Sequence, residues 1–388
     1  MSRLNFFVMI GALLFVHPTT GQMMVEENAL VFIDSGSVVS ITGDRDAEVV
    51  GPLENEGMLS IASNWKSSSN FISPNGSVTL SNEEDRNLNF SPTRIGHLIL
   101  EGDGNKRLNG VVFVKDSFTL YNGILSPVNN SRLIFEPEVV IEAGNNFSYV
   151  KGYAFHQGKG EKLYPVGTGG KYLPLTLDNV TDQGIILGYQ AIEKPVNGDP
   201  GKLLGLSGQY YWEQMVLEGN FTGSLVNLKV YEKDQSFRTD QYVVTESDSL
   251  GGKFINLGQK DYFGSLYDGF LTSQQPTRQR YLTIGFLDLD PVVYVPNALS
   301  RTSIDPEEQV ARVYGEQILS EGFRFVVFNR WGNRIYESRS LEIMQQEGWQ
   351  GIHDNGRELA GGTYSYVLQG QFEGGKSFEK TGSILIVE

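Results

Sequence analysis

His97, His156 and His353 are the residues of this 388-residue chain best suited to proton transfer or metal binding near neutral pH. They lie far apart in sequence and in no spacing of the His-Glu-x-x-His kind, so each reads as a surface or turn histidine. Ser207 stands in Gly205-Leu206-Ser207-Gly208, which lacks the second glycine position of a nucleophile elbow. Gly167-Thr168-Gly169-Gly170-Lys171 approaches a phosphate loop, yet Pro165 holds the place of its first glycine, Tyr172 replaces Ser or Thr, and no helix follows. A hairpin turn is its better reading. Carboxylates are left: Glu83, Glu84 and Asp85, Glu136 with Glu138, and Asp288 with Asp290. On a strand, residues two apart share a face, so either of the last two pairs could meet a cation or flank a glycosidic bond. Surface acids of an acidic protein explain them equally well. No catalytic, cofactor-binding or metal site is therefore assigned, and no cofactor.

Composition excludes further classes. Zero Cys removes disulfides, thiol catalysis and Cys-based metal centres. A formal charge of -15 opposes a nucleic-acid partner, because duplex phosphates demand a basic face. Trp65, in the polar stretch Ser63 to Ser68, is the aromatic lead for binding. It could stack on a sugar or fill a partner's pocket, but capping one end of a repeat is the favoured role. The Asn-x-Ser/Thr sites at Asn75, Asn129, Asn146, Asn179 and Asn220 would be glycosylation acceptors in a eukaryotic secretory chain and turn residues in a bacterial one.

The elements that would position these residues are strands. Short apolar strands end near Ile41, Ile61, Leu80, Leu100, Leu120 and Ile141, a period of roughly twenty residues, with Gly, Asn or Ser between them. That spacing predicts a short parallel β-solenoid over 22–150, each coil adding a strand or two; an irregular β-sandwich is the alternative. Arg3, the apolar run Leu4 to Val16 and the small residues Thr19, Thr20 and Gly21 form a signal peptide over 1–21, with cleavage expected between Gly21 and Gln22. That run is too short to span a membrane, and nothing later reaches the roughly 20 residues needed.

Toward the C-terminus, Phe323, Phe325 and Val327 alternate with Arg324, Val326 and Phe328 as a strand with both faces partly apolar, and Asn329 and Gly332 flank Arg330 and Trp331 as turn residues would. Trp349 with Gly351 follows, then Gly362, Thr363, Tyr364, Ser365 and Tyr366, and an apolar strand from Ile384 to Val387. Phe372 and Phe378 bracket Gly374 and Gly375, a hairpin signature. In this order the residues resemble the gliding motility-associated C-terminal domain of Bacteroidetes proteins, the type B sorting signal of the type IX secretion system. The opening Pro296-Asn297-Ala298 fits the family. The continuation Arg301 to Glu308 departs from its acidic, Gly-rich turn and predicts instead a short helix capped by Asp305, so no cation site is carried over. The resemblance implies an Ig-like sandwich over 291–388, with Asn329, Arg330, Trp331, Gly332, Trp349, Gly351, Gly362, Thr363, Tyr364 and Tyr366 as its motif. It also implies the outer-membrane translocon as partner.

A second resemblance runs through Asn122-Gly123-Ile124-Leu125, Leu133 to Phe135 and Ser148 to Gly152, then Leu163 to Gly167, Tyr172-Leu173-Pro174 and Tyr210-Tyr211-Trp212-Glu213. These segments are similar to a module of surface proteins of the same phylum, and they imply a β-sandwich over 151–290 without catalytic residues. The chain is thus expected to be all-β: a β-solenoid, a β-sandwich and a C-terminal sorting domain. Its expected role is that of an exported, non-enzymatic, adhesin-like or matrix-binding protein at the cell surface, with a surface glycan or protein as ligand. The alternative is a secreted polysaccharide hydrolase carried on the solenoid.

Overall fold

A computed structural model describes residues 7–10, 23–43, 46–68, 70–231, 239–265, 268–287, 292–315, 318–372 and 377–388. The chain splits into two compact units, Met1–Asp288 and Leu289–Glu388. Almost all regular structure is strand; the one α-helix among the described residues is Leu341–Gln346. Most of the expected signal peptide lies outside the described residues. Within it, Phe7–Ile10 pairs in parallel with Leu30–Ile33.

From Met24 to Ala143 the chain winds through about six coils of a parallel solenoid. Each coil passes through three strand positions, not the one or two expected from the spacing. The first face stacks Met24–Val25, Ala47–Val49, Trp65–Ser67, the starts of Arg86–Leu100 and Lys106–Leu120, and Leu125–Pro127. The second stacks Leu30–Ile33, Leu53–Asn55, the start of Phe71–Leu80, the middles of the two long strands, and Arg132–Phe135. The third stacks Val38–Ile41, Met58–Ile61, the ends of the three longer strands, and Val140–Ala143. Long strands turn the corners without breaking, by register shifts at Phe90/Thr93 and Ile95/His97.

The twenty-residue period is the third face. Ile41 lies opposite Ile61, Ile61 opposite Leu80, Leu80 opposite Leu100 and Leu100 opposite Leu120, all buried. At the next step Leu120 faces Ala143, and Ile141 faces Phe118 instead. The turn closed by Val139 N–H on Glu136 O lengthens that coil and shifts the ladder by two residues. Each buried Leu or Ile contributes about 1.5–3 kcal/mol, and an isolated coil, lacking neighbours, would forgo it.

Among the described residues of the solenoid, one buried position carries an ionisable side chain. Lys106 is fully buried, and its ammonium donates to the carbonyls of Asn82 at 3.2 Å, Gly102 at 2.8 Å and Gly104 at 2.8 Å. Gly123 has φ +87°, and a Cβ there would stand 2.3 Å from that ammonium, so the turn after coil five admits only glycine. Burial lowers the Lys106 pKa to about 8 against the opposing pull of Glu83, Asp103 and Asp85.

The solenoid passes into the sandwich through a shared sheet. Ala154–Gln157 pairs in parallel with Arg132–Phe135 on one side and antiparallel with Ile186–Ile192 on the other. The sheet continues through Tyr211–Glu218, Tyr281–Phe286, Tyr242–Ser247 and Ile255–Gly258. A second antiparallel sheet runs Gly160–Tyr164, Leu175–Val180, Val226–Val230, Gly269–Thr272, Asp261–Gly264. One apolar cluster extends from Val25 in the first coil to Phe286 in the last strand, so no break in the core marks residue 150.

The second unit is built on a five-stranded sheet ordered Ala298–Ser300, Ser377–Val387, Gly362–Gln371, Arg324–Phe328, Arg334–Ser338. Its inner face packs Phe325, Val327, Tyr366, Leu368, Ile384 and Ile386 against Val293, Val295, Ala311, Val313 and the helix residues Leu341 and Met344. Pro306–Gln309 is a short 3-10 turn capped by Asp305, whose carboxylate accepts from Glu307 N–H at 2.9 Å.

Candidate functional site

The motif residues of the second unit fall into a buried set and a displayed set. Trp349 is 1% exposed; its indole N–H donates to Ile352 O at 2.8 Å, and its ring lies 6.2 Å from Tyr336 and 5.9 Å from Tyr364. Gly351, at φ +74°, leaves its carbonyl to the Arg301 guanidinium at 3.0 Å, and the same guanidinium reaches Leu359 O at 2.6 Å. Gly362 opens the strand that carries Thr363, Tyr364 and Tyr366. Tyr366 packs 5.7 Å from Phe325 and lies across Gly382, its cross-strand partner, where a Cβ would come within 2.7 Å of the ring. The Phe372 and Phe378 rings meet at 4.5 Å; the turn between them lies outside the described residues.

The displayed set is the turn between Arg324–Phe328 and Arg334–Ser338. The Asn329 side-chain oxygen accepts from the N–H groups of Trp331 and Asn333, both at 3.0 Å, and Gly332 takes φ +78°. The turn is thus held from within, as an Asx turn. It presents Trp331, 72% exposed, with the Arg330 guanidinium 4.7 Å from the ring centroid.

The other candidates resolve differently. His156 is a core residue rather than a surface one: its ring N–H donates to Leu163 O at 2.7 Å, between Phe135 and Tyr164. Burial pushes its pKa down to about 3. His97 sits in a strand against Ser117 Oγ at 2.9 Å, and His353 lies in a turn. Glu136 and Glu138 lie in a turn rather than on a strand, and Glu136 pairs with Arg94 at 2.6 Å. Glu84 pairs with Arg86 at 3.1 Å and Asp85 with Arg107 at 2.9 Å. Asp288 and Asp290 lie outside the described residues, and no cluster of three or more metal-ligating residues occurs among the described ones.

Trp65 neither caps the solenoid nor hangs on a loop. It is 1% exposed, inside the third coil, with its ring 5.3 Å from Phe71 and 6.1 Å from Phe90 and with small Ala47 stacked opposite. Its polar sequence neighbours misled because Ser63, Asn64 and Ser68 lie outside the strand and Lys66 faces outward, while its apolar partners are Phe71, further along its own coil, and Ala47 and Phe90 in the coils on either side. Gly169 (φ +57°) and Gly170 (φ +73°) form the two-residue hairpin turn between Thr168 and Lys171. Ser207 is buried. Asn75 and Asn179 are in strands; Asn129, Asn146 and Asn220 are in turns or loops. The segments of the second resemblance meet in space: the Trp212 indole N–H donates to Leu173 O at 2.9 Å. The sequence did not signal one feature, a polar groove of about 690 Å³ in the sandwich, lined by Asp240, Asn256, Lys260, Asp261, Tyr262 and Gln274 among others.

Residues 293–386 match the CHU_C Type IX secretion signal domain. The second unit is therefore an address for export by the type IX secretion system, toward the cell surface or the extracellular space. The chain matches no curated protein.

Proposed function

We propose that this protein is an exported, non-enzymatic surface protein of a Bacteroidetes cell, adhesin-like or matrix-binding, in which the solenoid and sandwich present ligand-binding surface. Its signal peptide is removed between Gly21 and Gln22, and the C-terminal unit carries it through the outer-membrane translocon. The observation that carries this reading is the match over 293–386, with its Asn329 to Gly332 turn intact and displayed. A binding role is supported by the fate of the titratable groups. His156 is sealed in the core, and the coil carboxylates Glu48, Asp85 and Glu136 are paired with Lys66, Arg107 and Arg94. The groove around Tyr262, polar with one aromatic, suits a glycan surface.

The export reading is tested by fractionation and surface proteolysis of intact cells. Removal of residues 291–388 should leave the remainder in the periplasm, and continued surface exposure without them would sink it. A second reading, polysaccharide hydrolysis, draws on Asp240 and Asp261, which line the same groove. Purified protein should bind matrix polysaccharide without releasing reducing ends. Steady release abolished by Asp261→Asn would reverse the assignment.

A further inference from the structure

Three arginines of the second unit converge on one carboxylate. Glu337, on the edge strand Arg334–Ser338, takes Arg324 at 3.0 Å, Arg334 at 2.6 Å and Arg339 at 3.1 Å. The glutamate side chain is 13% exposed, whereas those of the arginines are 43%, 55% and 77% exposed. One carboxylate cannot neutralise three guanidiniums, and the strand leads directly into the turn that adds Arg330. Among the described residues, the acids hydrogen-bonded beside it are Asp354, which accepts the Glu337 N–H at 3.2 Å, and Glu379, held by Gln369 at 2.8 Å on the row that Gln369 shares with Arg324. The strip remains cationic in a chain whose formal charge is -15.

The same strip ends in an aromatic that the fold does not use. Of the four tryptophans, Trp65, Trp212 and Trp349 are at most 1% exposed, while Trp331 is 72% exposed on a turn fixed by two hydrogen bonds to Asn329. Exposed tryptophan and arginine held in one conformation are the residues that dominate protein interfaces when desolvated, because little entropy is lost on binding. Guanidiniums already oriented by Glu337 match further carboxylates in the same planar geometry.

We propose that the strip formed by Arg324, Arg334 and Arg339, ending at Arg330 and Trp331, is the surface by which the second unit docks on a carboxylate-bearing protein of the export machinery. The proposal rests on the reading of this unit as an export address. The complementary charge and the Trp anchor select a protein; an anionic lipid headgroup would need no fixed indole beside the arginines.

The test uses the full chain in its own cells, with surface proteolysis as readout and far-UV circular dichroism and melting of the purified protein as the folding check. Trp331→Ala alone, and combined with Arg334→Glu and Arg339→Glu, should lower the surface fraction at least tenfold and accumulate folded protein in the periplasm. Arg334→Lys with Arg339→Lys should retain most export. Trp331 contributes nothing to the core, so its single variant keeps the test valid even where charge reversal unfolds the unit. Normal export of the folded variants, with export lost on removal of 291–388, overturns the docking surface and leaves the address intact. Export that survives the removal overturns the address itself. Co-sedimentation of the purified protein with anionic lipid vesicles, lost in the same variants, would assign the strip to the membrane and overturn the protein partner.

Discussion

His156 shows how a residue chosen for its chemistry is taken over by packing. Its ring fills a slot between Phe135 and Tyr164, and only one of its nitrogens has a partner, the Leu163 carbonyl. With a folded pKa near 3 against about 6.5 in an unfolded chain, it stays neutral in the native state while the unfolded state takes up a proton. Stability from this group is complete above pH 6.5 and is lost as the pH falls toward 3. His156→Phe should therefore remove roughly 3 kcal/mol of the stability lost between pH 7 and pH 4. Urea unfolding of both proteins at the two pH values checks it; parallel losses would show that the imidazole is not the group responsible. Trp331 makes the converse point, since its side chain adds nothing to the core and is displayed by a turn the sequence already indicated.

At the scale of elements, the solenoid ladders convert a sequence period into stacking. Leu100 sits between Leu80 and Leu120, fully buried, and touches the coils on both sides. Leu100→Ala should cost about 2–5 kcal/mol, the range for a buried leucine whose cavity collapses incompletely. Denaturant melts will measure it, and a cost below about 1 kcal/mol would mean that neighbouring coils close over the gap. The period was legible because Ile41, Ile61, Leu80, Leu100 and Leu120 lie on one face with few insertions. The other two faces were hidden, because the chain stays in strand conformation through its corners: in Arg86–Leu100 the corners fall at Pro92 and Gly96, and neither residue ends the strand. The last step of the ladder was misassigned because the turn at Glu136 to Val139 adds length that no hydrophobic pattern records.

For the whole molecule, the two units have cores that share no residue, one running from Val25 to Phe286 and the other from Val293 to Ile386. Calorimetry should therefore show that Trp349→Ala, costing about 3–5 kcal/mol, lowers one transition and leaves the other in place. A single transition shifted as a whole would mean that the units unfold together.

By itself the sequence determined the class of the chain: all-β, acidic, free of Cys, a twenty-residue repeat ahead of a C-terminal domain whose motif order is that of an export signal. Those features are written in local alternation, turn residues and spacing, which depend on near neighbours along the chain. The tertiary structure alone decided what long-range contacts decide. It buried Trp65 and His156, paired Glu136 with Arg94 across coils, carried one sheet from solenoid into sandwich, and gathered Arg324, Arg334 and Arg339 around Glu337. Burial and charge convergence are set by partners distant in sequence, and a one-dimensional pattern carries no record of which of them meet.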